Sequence, residues 1–93
     1  MTYPWLSLAR TKRYEEQARR LGVSQVARSS RGFLREYERA GTADAMKKRK
    51  VPGYPNQTWG QRRDAFIARQ LPLYRRHPTT RRRYALRMWG YAS

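Results

Sequence analysis

The chain contains no cysteine, a single histidine and only six acidic residues among 93. Without thiols there is no disulfide framework and no thiolate metal site. His77 alone cannot assemble a histidine zinc centre. Nothing approaches the ~20 consecutive apolar residues that span a bilayer. The opening Met1-Thr2-Tyr3-Pro4-Trp5 lacks the basic-then-apolar profile of a secretory signal. The six glycines are scattered, so no phosphate-cradling loop is present. The expectation is a soluble, non-secreted protein with no cofactor, no metal and no membrane partner.

What the chain has in excess is positive charge. Lys and Arg number 22, giving a formal charge of +16. Eighteen of these are Arg and four are Lys, and aromatics make up 13%. Arg presents a planar fork of donors that grips phosphate and stacks on flat faces, which a merely solubilising surface does not require. Arg combined with Tyr and Trp suits nucleic acid, where one type holds phosphates and the other stacks on bases. At this length one domain is expected, and its core is modest. Sixteen uncompensated charges repel one another until a polyanion answers them.

The fold class expected is all-α: a small helical domain of three to five helices with an irregular Pro/Gly linker. Residues 1–41 read as an N-terminal helical pair, 42–57 as a basic linker and 58–93 as an Arg/aromatic-rich helical segment. In the first helix, from about Ser7 to Leu21, Tyr14, Ala18 and Leu21 recur at i, i+4, i+7, and Gly22 marks its end. The second begins at Ser24 or Ser30 and ends at Gly41, with Val26, Ser30, Phe33 and Tyr37 as its stripe and Leu34 widening it. Thr42 is placed to cap a short helix over Ala43–Lys50, after which Pro52 and Pro55 forbid continuation. Thr58 with Gln61 fits a capping box opening a third helix, whose apolar face is Phe66, Ile67 and Leu71. Pro72 is expected to interrupt that helix, leaving one further turn over Leu73–His77. Thr79 or Thr80 then caps a last helix, in which Tyr84, Met88 and Tyr91 recur. No segment alternates convincingly enough to be a strand.

The densest constellation lies in Leu73–Tyr91. Arg75, Arg76, Arg81, Arg82, Arg83 and Arg87 occur there without an acidic residue, interleaved with Tyr74, Tyr84, Trp89 and Tyr91. Three arginines in the first turn of a helix crowd its positive end, and a bound anion would relieve that repulsion. The six arginines are therefore the expected phosphate contacts, with Tyr74 and Trp89 as candidate stacking residues and Lys47, Lys48, Arg49 and Lys50 as a mobile secondary clamp. Tyr84 and Met88 are assigned to the core. Lys47-Lys48-Arg49-Lys50-Val51 also resembles the basic nuclear-import signal of the polyomavirus large T antigen. Ala18-x-x-x-Gly22-Val23-Ser24 resembles the first half of a helix-turn-helix, with Gln25, Arg28 and Ser29 as candidate readers.

Catalysis is not expected. The glutamates sit at i, i+3 and i+4 from arginines, so Glu15 with Arg19, Glu16 with Arg20 and Glu36 with Arg39 read as surface ion pairs. Asp64 lies near a helix start, where a carboxylate is favourable. His77 has no nucleophile or base partner apparent in the chain.

Three segments together, Ser29-Ser30-Arg31-Gly32-Phe33-Leu34…Tyr37, Trp59…Arg62-Arg63-Asp64-Ala65-Phe66-Ile67-Ala68-Arg69 and Thr80-Arg81-Arg82…Ala85-Leu86…Met88-Trp89…Tyr91, carry a family likeness. Over Ser29–Tyr91 the chain resembles small, basic, largely uncharacterised proteins of tailed phages and large DNA viruses of microbes. A histidine expected near Arg83 and a proline expected near the end are absent. The resemblance implies a viral origin, with location in a virion or in the host-cell interior (cytoplasm or nucleus), and two roles: packing or coating viral DNA, or filling a structural position in a virion.

The leading expectation is a non-enzymatic, sequence-tolerant nucleic-acid-binding protein, DNA being favoured over RNA. The alternative is a structural component of a large assembly, a capsid, tail or ribosome, in which arginines meet acidic protein surfaces. A helix-turn-helix regulator is the third. Residues 1–40 hold 9 basic and 4 acidic side chains, and residues 41–93 hold 13 and 2, so the charge is concentrated towards the C-terminus.

Overall fold

The computed structural model describes residues 3–92. In order along the chain come α1 (Leu8–Arg13), α2 (Glu15–Leu21), α3 (Phe33–Ala40), α4 (Ala43–Lys48), β1 (Lys50–Val51), β2 (Tyr54–Thr58), α5 (Trp59–Arg76) and α6 (Thr80–Arg87). The molecule is mostly helical, as the periodicities require, but it also contains a two-stranded sheet. That hairpin corrects the purely helical expectation and replaces most of the irregular linker.

Local chemistry sets the helix starts. Ser7, Thr42, Thr58 and Thr79 each accept a hydrogen bond at 3.2 Å from the backbone N–H three residues on. Gln61 accepts in turn from the Thr58 N–H at 2.9 Å, completing the capping box. The long first helix is divided at Tyr14, whose N–H turns back to Thr11 at 3.2 Å. Gly22, at φ +68°, ends α2 in the left-handed conformation.

Residues 24–31 are turns rather than helix. Ser24 has φ 58°, the Leu34 N–H bonds to the Ala27 carbonyl, and Gly32 rather than Ser30 precedes α3. Val26 is consequently 79% exposed, and Ala27 takes the buried place expected for it. Gly32 is required by close approach: a Cβ there would lie 2.1 Å from the Val26 carbonyl oxygen. Pro72 does not interrupt α5, which runs on to Arg76. The proline stands on the exposed side, where water can take the bond that the Ala68 carbonyl loses.

The strands pair antiparallel, Lys50 with Thr58 and Val51 with Tyr54, around a Pro52-Gly53 turn in which Gly53 has φ +82°. Alternation was invisible because β1 is only two residues long and Tyr54, Pro55 and Asn56 are all exposed.

Phe33 is the centre of the larger core, ringed by Trp5, Tyr37, Trp59 and Trp89 with centroid separations of 5.1–5.9 Å. Ile67, Leu71 and Leu86 form a second cluster, with Tyr3, Phe66, Tyr74 and Tyr91 against it. Met88 is fully buried, and Tyr84 packs at the margin of the larger core.

Buried Trp59, Arg63, Ile67 and Leu71 form the inward stripe of α5, so Arg63 belongs to the core rather than to the polar face. All five of its N–H groups are used. Nε donates to the Trp89 carbonyl (2.9 Å), Nη1 to Tyr3 O (3.1 Å) and Asp64 Oδ1 (2.9 Å), and Nη2 to Pro4 O (2.6 Å) and Gly90 O (3.2 Å). Burial pulls its pKa below the ordinary guanidinium value, and Asp64 opposes that pull.

Candidate nucleic-acid interface

The six carboxylates are all engaged by cations between positions 12 and 63. Glu15 pairs with Arg35, not Arg19. Glu16 meets Arg19 and Arg20, Glu36 meets Arg39 and Arg49, and Glu38 meets Lys12 and Arg35. Asp44 meets Lys47, and Asp64 meets Arg63. Residues 65–93 contain seven arginines and no acid. Charge segregation in the fold is therefore sharper than in the sequence.

Arg75 and Arg76 occupy the last turn of α5. Both are exposed and make no hydrogen bond or ion pair among the described residues. Their charges are favoured by the negative end of the α5 dipole, so they can be held outward at no local cost.

Arg81, Arg82 and Arg83 stand in the first turn of α6, but their guanidinium groups are engaged within the fold. Arg81 Nη1 donates to the carbonyl of Leu21, the last residue of α2. Arg82 Nη1 donates at 3.1 Å to the carbonyl of His77, which caps α5. Arg83 Nε donates at 2.9 Å to the Tyr74 hydroxyl, a bond that raises the arginine pKa. The start of α6 thus faces the ends of α2 and α5, where cations are favourable. The repulsion expected among these three arginines is thus relieved in part from within the fold. Arg87 lies 4.4 Å from the Tyr14 ring centre and 5.1 Å from that of Tyr84, a half-buried cation–π arrangement.

The expected mobile clamp is built into regular structure. Lys47 and Lys48 end α4, and Lys50 is in β1. Lys47 lies 3.6 Å from Asp44, and Arg49 lies 3.5 Å from the buried Glu36. Lys48 and Lys50 remain exposed without a side-chain partner among the described residues. Burial pushes the Glu36 carboxyl up, but the Arg39 hydrogen bond and the Arg49 charge outweigh it and hold the pKa below 4.5. The buried Trp59 N–H makes no hydrogen bond of ordinary geometry, yet it lies close enough to help keep Glu36 ionised.

Both candidate stacking residues are half-buried. Tyr74 is committed to the second cluster and to Arg83. Trp89 stacks on Phe66 with centroids 4.9 Å apart and planes at 21°. The Trp89 ring also borders three surface recesses of about 340, 240 and 450 Å³.

Sequence reasoning passed over Arg62 and Arg69. They share a face of α5 with Arg76 at i, i+7, i+14, a spacing that could have been read directly from the chain. The helix-turn-helix reading needs a helix directly after Gly22, whereas Gln25, Arg28 and Ser29 fall in turns, and Arg28 Nε is bonded to the Val23 carbonyl at 2.9 Å.

Among the described residues no helix is long and apolar enough to cross a membrane, and no group of three or more His, Cys, Asp or Glu could hold a metal ion. No protein-family model, curated protein or solved structure matches the chain.

Proposed function

We propose that this is a non-enzymatic, sequence-tolerant nucleic-acid-binding protein whose contact surface is the arginine-rich C-terminal part. One observation carries this reading. Every carboxylate is spent on cations at positions 12–63, while Arg69, Arg75 and Arg76 stand without a partner among the described residues on a segment that contains no acid. An excess of exposed, unanswered guanidinium groups is the electrostatic footprint of a phosphate-binding surface. Arg75 and Arg76 form its centre, with Arg81–Arg83 at its edge; Lys48 and Lys50 lie beside the opposite end of α5 and add a separate patch of positive charge. Arg87 contributes field rather than direct contact. The viral resemblance suggests packing or coating of DNA as the setting, in a virion or an infected cell.

Binding of labelled duplex and single strands, followed by fluorescence anisotropy, tests the proposal. Affinity should fall steeply between about 50 and 200 mM salt, with a log–log slope near 0.9 per phosphate contacted on duplex. Absence of binding, or salt-independent binding, removes it.

A second reading rests on a different observation. Val26 and Tyr54 are large apolar side chains at 79% and 54% exposure. Their exposure supports a place in a protein assembly, where acidic neighbours would meet the arginines. Purification with the shell of a particle rather than with its genome would favour it.

A further inference from the structure

One recess adjoining the Trp89–Phe66 stack differs from the others in how it is lined. About 340 Å³ in volume, it is bordered by Gln57, Arg62, Ala65, Phe66, Arg69 and Trp89. That volume falls in the range of ~300–1,000 Å³ typical of small-ligand sites. Its wall is a pair of stacked aromatic rings, its rim is two arginines, and no carboxylate borders it.

The two rim arginines are prepared in different ways. Arg62 is fixed: its guanidinium lies 4.3 Å from the Tyr54 ring centre, and Nε donates to Gln57 Oε1 at 2.8 Å. Its two Nη groups make no hydrogen bond among the described residues, so they remain available to an acceptor at the recess. Arg69 is exposed and makes no hydrogen bond or ion pair among the described residues. Two helical turns separate the pair, about 10.5 Å along α5, and the next step of the same row is Arg76. Trp89 holds Phe66 in place, because its own carbonyl receives the Nε–H of buried Arg63 and its ring packs 5.1 Å from Phe33 and 4.9 Å from Phe66.

We infer that this recess takes an unpaired nucleobase of a single-stranded nucleic acid. The base packs on the outer face of Phe66, which is backed by Trp89, Arg62 faces it across the recess, and the backbone follows the Arg69–Arg76 row. The inference rests on the nucleic-acid reading above and makes it specific, since stacked bases inside a duplex cannot reach such a recess. The flat outer face of Phe66 fits any base, so the site tolerates sequence. An acidic peptide would satisfy the arginines but leave the aromatic wall uncovered, which is why a base is the better occupant.

The test uses the full chain with three probes: an oligothymidylate, an abasic strand of equal length and charge, and a duplex. The oligothymidylate should bind about tenfold more tightly than the abasic strand at fixed salt, the scale expected from base–aromatic stacking. Ala65→Glu places a carboxylate at the recess from an exposed position, so it disturbs no buried contact. This variant should lose most of the preference for the base-bearing strand while binding duplex within about threefold of the parent, the scale of one phosphate contact. Equal affinity for the two single strands overturns the base site and leaves the electrostatic reading standing. Failure to bind any of the three probes overturns both. Competition by polyglutamate as effective as by the oligothymidylate overturns the base site in favour of an acidic protein partner.

Discussion

The guanidinium of Arg63 lies 4.1 Å from the centre of the Trp5 ring while its Nε–H holds the Trp89 carbonyl at 2.9 Å. A single side chain on α5 therefore ties the segment before α1 to the segment after α6. The Trp5–Tyr91 bridge and the Leu6 N–H bond to Gly90 O at 2.6 Å run alongside it. The tie is electrostatically demanding, because a buried cation is tolerated only when its donors are matched. Here five donors meet five acceptors.

Arg63→Met should therefore destabilise the protein by about 3 kcal/mol or more. It leaves the carbonyls of Tyr3, Pro4 and Trp89 without their donors, while Gly90 O keeps the Leu6 N–H, and each orphaned acceptor costs about 1–3 kcal/mol where water cannot enter. Arg63→Lys should recover only part of the loss, since an ammonium supplies three donors from one point rather than five from a fork. Urea unfolding measures both, and the Leu6 amide should exchange faster in each variant. A change within about 0.5 kcal/mol would place Arg63 among ordinary surface residues.

Gly32→Ala tests the turn between α2 and α3. The added Cβ meets the Val26 and Ala27 carbonyl oxygens at 2.1 and 2.5 Å, both of them backbone, so no side chain can swing aside. A loss of about 1–3 kcal/mol is expected from overpacking, read as a lower urea midpoint. A variant as stable as the parent would mean that the turn is built differently.

Acid should loosen α3 from its neighbours. Glu36 and Glu38 both sit below 4.5 in the fold: burial raises each, and the arginines and Lys12 bonded to them more than reverse it. A lowered folded pKa means that the stabilisation is present above about 4.5 and disappears as pH falls through the folded values. The urea midpoint should hold from neutrality to about pH 5 and decline below it. Glu36→Gln should flatten that decline while lowering the midpoint at neutral pH. An equally steep decline in this variant would assign the acid sensitivity elsewhere.

Much of the helical framework was legible because its signals are local. Ser7, Thr42, Thr58 and Thr79 are capping residues whose chemistry is complete within four positions, and Gly22 and Gly41 stop helices by their own conformational freedom. What escaped depends on distant partners. Nothing near Arg63 announces that four carbonyls from both ends of the chain will converge on it. Arg81 and Arg82 read as an unanswered cluster because Leu21 and the α5 terminus reach them only in three dimensions. The hairpin was hidden for another reason: a two-residue strand paired with a largely exposed one leaves no alternation to detect. The site was partly legible. Trp89 and the exposed Arg75–Arg76 pair stood out by type, whereas Arg62 and Arg69 required attention to a seven-residue spacing along α5.

The distinction between outward and inward arginines yields the most direct test of where phosphate is held. Arg75 and Arg76 have no partner among the described residues, so Arg75→Gln with Arg76→Gln should leave the unfolding midpoint nearly unchanged. On duplex DNA the same pair of changes should reduce the log–log salt slope by up to about 1.8, which is 0.9 for each phosphate no longer neutralised. Arg81→Gln with Arg82→Gln removes the donors that close the ends of α2 and α5. That second pair should cost about 0.5–2 kcal/mol of stability by leaving those helix ends without their cations, with a smaller change in slope because each guanidinium is already partly engaged. The opposite pattern, with the slope carried by Arg81 and Arg82 and stability by Arg75 and Arg76, would move the phosphate site to the start of α6. Two salt titrations and two unfolding curves separate the alternatives, because the fold assigns one pair to the surface charge and the other to its own helix ends.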